Sequence, residues 1–118
     1  MSTSPKILAA FKILTAAELA ELEGGSFAGS TDDRRDGFIH LSTAAQLTAT
    51  VDRHFAGRDG LQVAEVDLEA LGDAIRWEPS RGGEDFPHLY GPLPLDAVVA
   101  YSPLERDEDG DVKLPVAG

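Results

Sequence analysis

"DGFIHLST", residues 36–43, places a glycine, an aromatic ring, a histidine and two hydroxyls within eight positions. Strand alternation puts Phe38, His40 and Ser42 on one face and Ile39 and Leu41 on the other, so the imidazole either faces a pocket or sits half exposed on a sheet. Thr43 then forms a capping box with Gln46, and "AAQLTATVDRHF" follows at helical spacing, with Leu47, Val51 and Phe55 as its buried stripe. The stretch reads as a strand running straight into a helix. At about 3.3 Å per residue, His40 and Ser42 lie roughly 6.5–7 Å apart, too far for a Ser–His nucleophile pair. Ser42 and Thr43 read as helix caps, and the helix start offers amide N–H groups to an anion or a ribose phosphate beside His40.

Upstream, "AFKIL" at 10–14 reads as a first strand. Thr15 and Glu18 form a capping box for a helix that buries Leu19 and Leu22 and ends at Gly24-Gly25. "GSTDDRR" at 29–35 is expected to be an exposed loop. Downstream, "LQVAEVDL" at 61–68 has apolar residues in both phases, as a strand covered on both faces would. A helical turn at 69–71, a strand at 74–78 and a final strand at 96–101 complete the reading. Strands outnumber the two early helices, which predicts an α+β fold rather than a doubly wound sheet.

A second cluster is "WEPSRGGEDFPHLYGPLP", residues 77–94. Pro87 and Pro92 stiffen the backbone and extend the residues before them, so His88 and Tyr90 share one face and Leu89 takes the other. Trp77, Phe86 and Tyr90 offer flat surfaces for a base or an amide ring, Glu78 and Glu84 are the carboxylates nearest in sequence, and "RGG" at 81–83 is flexible. His40 and this braced stretch are expected to line opposite walls of one crevice.

Length and composition bound the rest. A chain of 118 residues with no internal repeat or long linker is one domain. It has no cysteine, hence no disulfide, thiol nucleophile or thiolate metal site. His40, His54 and His88 contain no close-spaced ligand pair, so no metal is expected. The net charge of −11, from 21 acidic and 10 basic residues, argues against a nucleic-acid partner, because phosphate backbones are held by Lys and Arg. No apolar run is long enough for a membrane span, and "MSTSPKILAAFK" does not resemble a secretory signal, so the cytoplasm is the expected location. "ERDEDGD" at 105–111 reads as a solvated tail or turn within an acidic C-terminal tail over 105–118. Three functions stay open: an enzyme, a non-catalytic nucleotide- or metabolite-binding module, and an acidic domain that meets a basic protein. The oligomeric state is not readable.

"FKILT" at 11–15, "DGFIHLST" at 36–43, "HFAGRDGL" at 54–61, "RWEP" at 76–79 and "FPHLYGPLPLDAVV" at 86–99 resemble the recurrent blocks of a small bacterial family, domain of unknown function 952. That resemblance implies the ADP-ribosyltransferase-like fold, a split, strongly curved sheet whose cleft grips NAD. "FIHLS" at 38–42 is also similar to a strand of the NAD-using RNA 2′-phosphotransferases. The expectation is ADP-ribosyl transfer or cleavage of the NAD glycosidic bond, with His40, His88, Tyr90 and Glu84 catalytic and Lys12, Ser42, Thr43, Trp77 and Phe86 around the nucleotide.

Overall fold

The computed structural model describes residues 7–115. Residues 1–6, which open the stretch read against a secretory signal, and residues 116–118, which close the expected tail, lie outside the described residues. The described chain is a mixed α+β structure with three antiparallel sheets and four α-helices. No helix among the described residues is long and apolar enough to cross a membrane.

The first sheet has the order β1 (Ala9–Leu14), β4 (Gln62–Asp67), β8 (Val98–Pro103). Its central strand is covered on both faces, as its mixed apolar phases predict. Val63 packs with Phe11, Ile13, Leu47, Val51 and Leu61, while Ala64 and Val66 join Ala10, Leu14, Leu22, Phe27, Ile39, Leu41 and Leu89. Each large aliphatic side chain so buried contributes about 1.5–3 kcal/mol of transfer free energy. Helix α1 (Ala16–Glu23) has the capping box expected at Thr15 and Glu18 and buries Leu22. The pair β2 (Ser26–Phe27) and β7 (Leu93–Pro94) forms a small second sheet.

The third sheet positions the candidate site. It has the order β3 (Ile39–His40), β6 (Asp85–Leu89), β5 (Ile75–Pro79), with β3 leading into α3 (Ala44–His54) through the predicted Thr43–Gln46 capping box. Between β4 and β5 lies α4 (Leu68–Leu71). Pro87 sits in the middle strand yet breaks no ladder to β5: its carbonyl accepts the Leu41 N–H at 3.1 Å, so the edge without an N–H faces the end of β3. The Phe11 and Ser42 backbones exchange hydrogen bonds of 2.7 and 3.0 Å, joining the first sheet to the third.

One expectation is corrected. The polar stretch at 29–35 is not a loop: α2 (Thr31–Asp36) forms there, with Ser30 and Asp33 in a reciprocal capping box and Gly37 closing the helix in the left-handed conformation at φ 87°. The acidic run at 105–111 forms a largely exposed turn. It folds back through an Arg106–Val112 bridge, Val112 enters the core beside Val51, and its N–H donates to Thr48 Oγ1 at 2.9 Å.

Candidate functional site

A cleft of about 530 Å³ runs along one side of α3, bounded by β1, by α2, by the third sheet and by the turn at 80–84. Ala45, Ala49 and Arg53, four residues apart, present two small side chains and then a guanidinium to it. Its volume is that of an ordinary small-molecule site.

One wall is built on Asp33. The Ser30 cap fixes the start of α2, and Asp33, 2% exposed, points into the protein from a helix otherwise exposed. Its Oδ1 accepts from Lys12 Nζ at 3.1 Å, the His40 backbone N–H at 3.1 Å and His40 Nδ1 at 2.6 Å. Its Oδ2 lies 2.9 Å from Lys12 Nζ and accepts the Ser30 N–H at 2.9 Å. Burial opposes ionisation here, but the hydrogen bonds from His40 and Lys12, the Lys12 charge and the Ser30 amide outweigh it and hold the carboxyl well below the usual carboxylate range. Lys12 donates further to the His40 carbonyl at 3.1 Å. His40 Nε2 lies 2.9 Å from Asp36 Oδ2. Carboxylates only accept, so both contacts of this ring are made together only when both nitrogens carry hydrogen.

The neighbouring strand carries the second imidazole. His40 and His88 are directly opposed in the β3–β6 ladder, and Arg76 is opposite His88 in the β5–β6 ladder. Alternation therefore gathers Phe38, His40, Phe86, His88, Arg76 and Glu78 on one face. His88 Nδ1 is 2.7 Å from Glu78 Oε1, which also accepts the Tyr90 hydroxyl at 2.8 Å. The His88 hydrogen bond first, then that of Tyr90, keep the Glu78 carboxyl below its ordinary range, and the same bond to Glu78 pushes the Tyr90 phenol up. Phe38 stacks on His88 with centroids 3.9 Å apart, and the two imidazole centroids are 5.8 Å apart, edge to face. The two histidines thus stand side by side on one sheet, which corrects the expectation of opposite walls.

Of the residues singled out from the sequence, Lys12, His40, Ser42, Glu84, Phe86 and His88 border the cleft. Lys12 is committed to Asp33 and the His40 carbonyl, so it builds the wall instead of reaching into the space. The Ser42 hydroxyl is bonded to Thr50 Oγ1 at 2.8 Å. Tyr90, Thr43 and Trp77 do not border the cleft. Tyr90 is tied to it through Glu78, Thr43 caps α3, and Trp77 lies on the opposite sheet face from Glu78, in register with Pro87 and 41% exposed. Sequence reasoning missed Asp33, Asp36, Arg53 and the role of Glu78. The Ser30-x-x-Asp33 spacing announces the first of these, and the recurrence of Phe-x-His-Leu at 38–41 and 86–89 marks the two strands that pair. Among the described residues, one trio has metal-ligand spacing, Asp107, Asp109 and Asp111, exposed and away from the cleft.

Among the curated proteins nothing matches. Among solved structures the chain is similar to protein CC0527 from Caulobacter crescentus. To its X-ray structure the identity is 42% and the TM-score 0.80, over 89% of this chain and 93% of that one. To its solution NMR structure the identity is 43% and the TM-score 0.74, over 88% and 90%. The model of one family matches residues 13–101, most of the length, and the chain therefore belongs to the family described as Protein of unknown function (DUF952).

Proposed function

We propose that the cleft is an ADP-ribosyltransferase-like nucleotide site that takes NAD and acts at its nicotinamide–ribose bond. The observation that carries this reading is the pair of carboxylate-bound imidazoles, registered on adjacent strands and bordering one space of about 530 Å³. The residues present suit such a ligand. Arg53, without a carboxylate partner among the described residues, can meet a pyrophosphate; Phe86 offers a face for a ring; Glu84 and Asp36 supply negative charge where a cationic group would lie. Lys12, Ser42 and Thr43 support the walls, and Trp77 has no part in binding.

Bound there, NAD supplies a glycosidic carbon activated by a cationic leaving group. As that bond breaks, positive charge grows on the sugar, so the Glu84 carboxylate stabilises the transition state more than the ground state. Replacing one such preorganised group costs about 10²–10³-fold in rate. Incubation with NAD should therefore release nicotinamide above the buffer blank, and Glu84→Gln should slow the release about 10²-fold. A wild-type rate equal to the blank with water and with protein or RNA acceptors, together with a flat calorimetric titration, would end the reading.

The exposed position of Glu84 on the rim favours a second reading, a nucleotide-binding module without turnover. Saturable heat with NAD or ADP-ribose and no nicotinamide would select it.

A further inference from the structure

We infer that His88 is the proton acceptor of the cleft, acting through Nε2, and that Glu78 is the positioning residue that holds its tautomer. The proposal rests on the nucleotide reading for its substrate but not for its geometry. Glu78 Oε1 takes hydrogen bonds from His88 Nδ1 and from the Tyr90 hydroxyl. An ionised carboxylate has no proton to give, so Nδ1 must carry the hydrogen, and in the neutral imidazole Nε2 is left with its lone pair. Among the described residues Nε2 has no hydrogen-bond partner, yet no buried side-chain nitrogen or oxygen is left unsatisfied. Nε2 therefore reaches accessible space, although His88 as a residue is 4% exposed, and His88 is one of the residues that border the cleft. Phe38, stacked on the ring at 3.9 Å, and the β3–β6 ladder hold its plane.

His40 cannot take this part. Asp33 faces one of its nitrogens at 2.6 Å and Asp36 the other at 2.9 Å, so neither lone pair is available while α2 stays docked. Of two imidazoles with the same strand setting, only His88 is left with an open basic nitrogen.

In the step, Nε2 of His88 removes a proton from a water molecule or an acceptor hydroxyl. The oxygen bonds to the ribose C1′, and the C1′–nitrogen bond breaks with its electron pair going to the nicotinamide nitrogen. Nicotinamide leaves neutral, and the proton remains on His88 until it passes to solvent. With water the sum is NAD plus water giving ADP-ribose, nicotinamide and one proton. A positioned base of this kind is worth about 10²–10⁴-fold.

Two measurements test the assignment. Nitrogen-15 NMR of the free protein at about pH 8.5, above the ordinary imidazole range, should show His88 with hydrogen on Nδ1 and Nε2 bare. In Glu78→Gln, whose amide can donate as well as accept, both tautomers should be populated. In turnover of NAD, Glu78→Gln should lower kcat about 10²-fold with KM little changed, and Tyr90→Phe, which leaves the fold undisturbed at an exposed hydroxyl, should lower it a few-fold. Hydrogen on Nε2 in the wild-type protein overturns the assignment, as does a Glu78→Gln variant with wild-type tautomer and wild-type kcat. Should wild-type protein release no nicotinamide, the nucleotide reading falls, and the tautomer alone decides whether Glu78 sets a basic nitrogen in the cleft.

Discussion

His40 and His88 occupy opposed positions in one ladder, each within a Phe-x-His-Leu segment, and each presents Nδ1 to a carboxylate. Their surroundings differ. The Asp33 carboxylate at His40 is buried and also answers a buried ammonium, a backbone amide and a helix cap. The Glu78 carboxylate at His88 lies on the outer strand of the sheet, is partly exposed, and accepts one phenol hydroxyl besides. The first arrangement ties β1, α2 and β3 together; the second orients one ring. Similar local chemistry thus serves architecture on one strand and, on our proposal, reactivity on its neighbour.

The comparison breaks most readily at its buried end. Asp33→Asn leaves the Lys12 ammonium buried without its counter-charge, and urea unfolding should show a loss of about 3–5 kcal/mol. Lys12→Met combined with Asp33→Asn should cost less than the sum of the single changes, because the two groups act on each other. Additive losses would mean that the ion pair does not hold α2 in place.

Acid should act on the same point. The folded protein holds Asp33 below the ordinary carboxylate value, so its contribution to stability is complete at neutral pH. That contribution drains away as pH falls below about 4, from the value in the unfolded chain towards the lower folded one. Unfolding followed between pH 7 and pH 2 should therefore show a steeper acid decline in the wild-type protein than in the Lys12→Met, Asp33→Asn double variant. Parallel curves would assign the acid response to other carboxylates.

The smallest effect sharpens the contrast within His40 itself. Asp36 is about one-third exposed and shares its carboxylate with Arg35, so Asp36→Asn should change stability far less than Asp33→Asn does. A loss approaching that of Asp33→Asn would show that the outer carboxylate, and not the buried one, holds the ring.

Local structure was legible in the residues where a rule of short range applied. The Thr15 and Thr43 capping boxes, the two-faced burial at 61–68 and the shared face of His88 and Tyr90 all follow from spacing. The same capping rule applied at Ser30 would have exposed α2, but a stretch with five charges in succession and a single inward residue, itself an aspartate, has no apolar stripe to announce a helix. Val112 was hidden for a related reason, as one buried aliphatic among acids, 61 positions beyond Val51, with which it packs. The pairing of His40 with His88 is a contact across 48 positions, and strand order of that range is decided by the packing of the whole sheet. The α+β class was within reach of the sequence, and so were six of the residues that border the cleft. The carboxylate that assigns each histidine its role was not.

The paired bonds between Phe11 and Ser42 carry a consequence for motion. They rivet two sheets at the floor of the crevice, so the crevice cannot gape by letting those sheets drift apart. Amide protons at these two sites should be among the last to exchange with deuterated solvent. A guest must enter past the rim, where the Gly82 and Gly83 backbones, at φ 82° and 77°, form the tight bend of the hairpin.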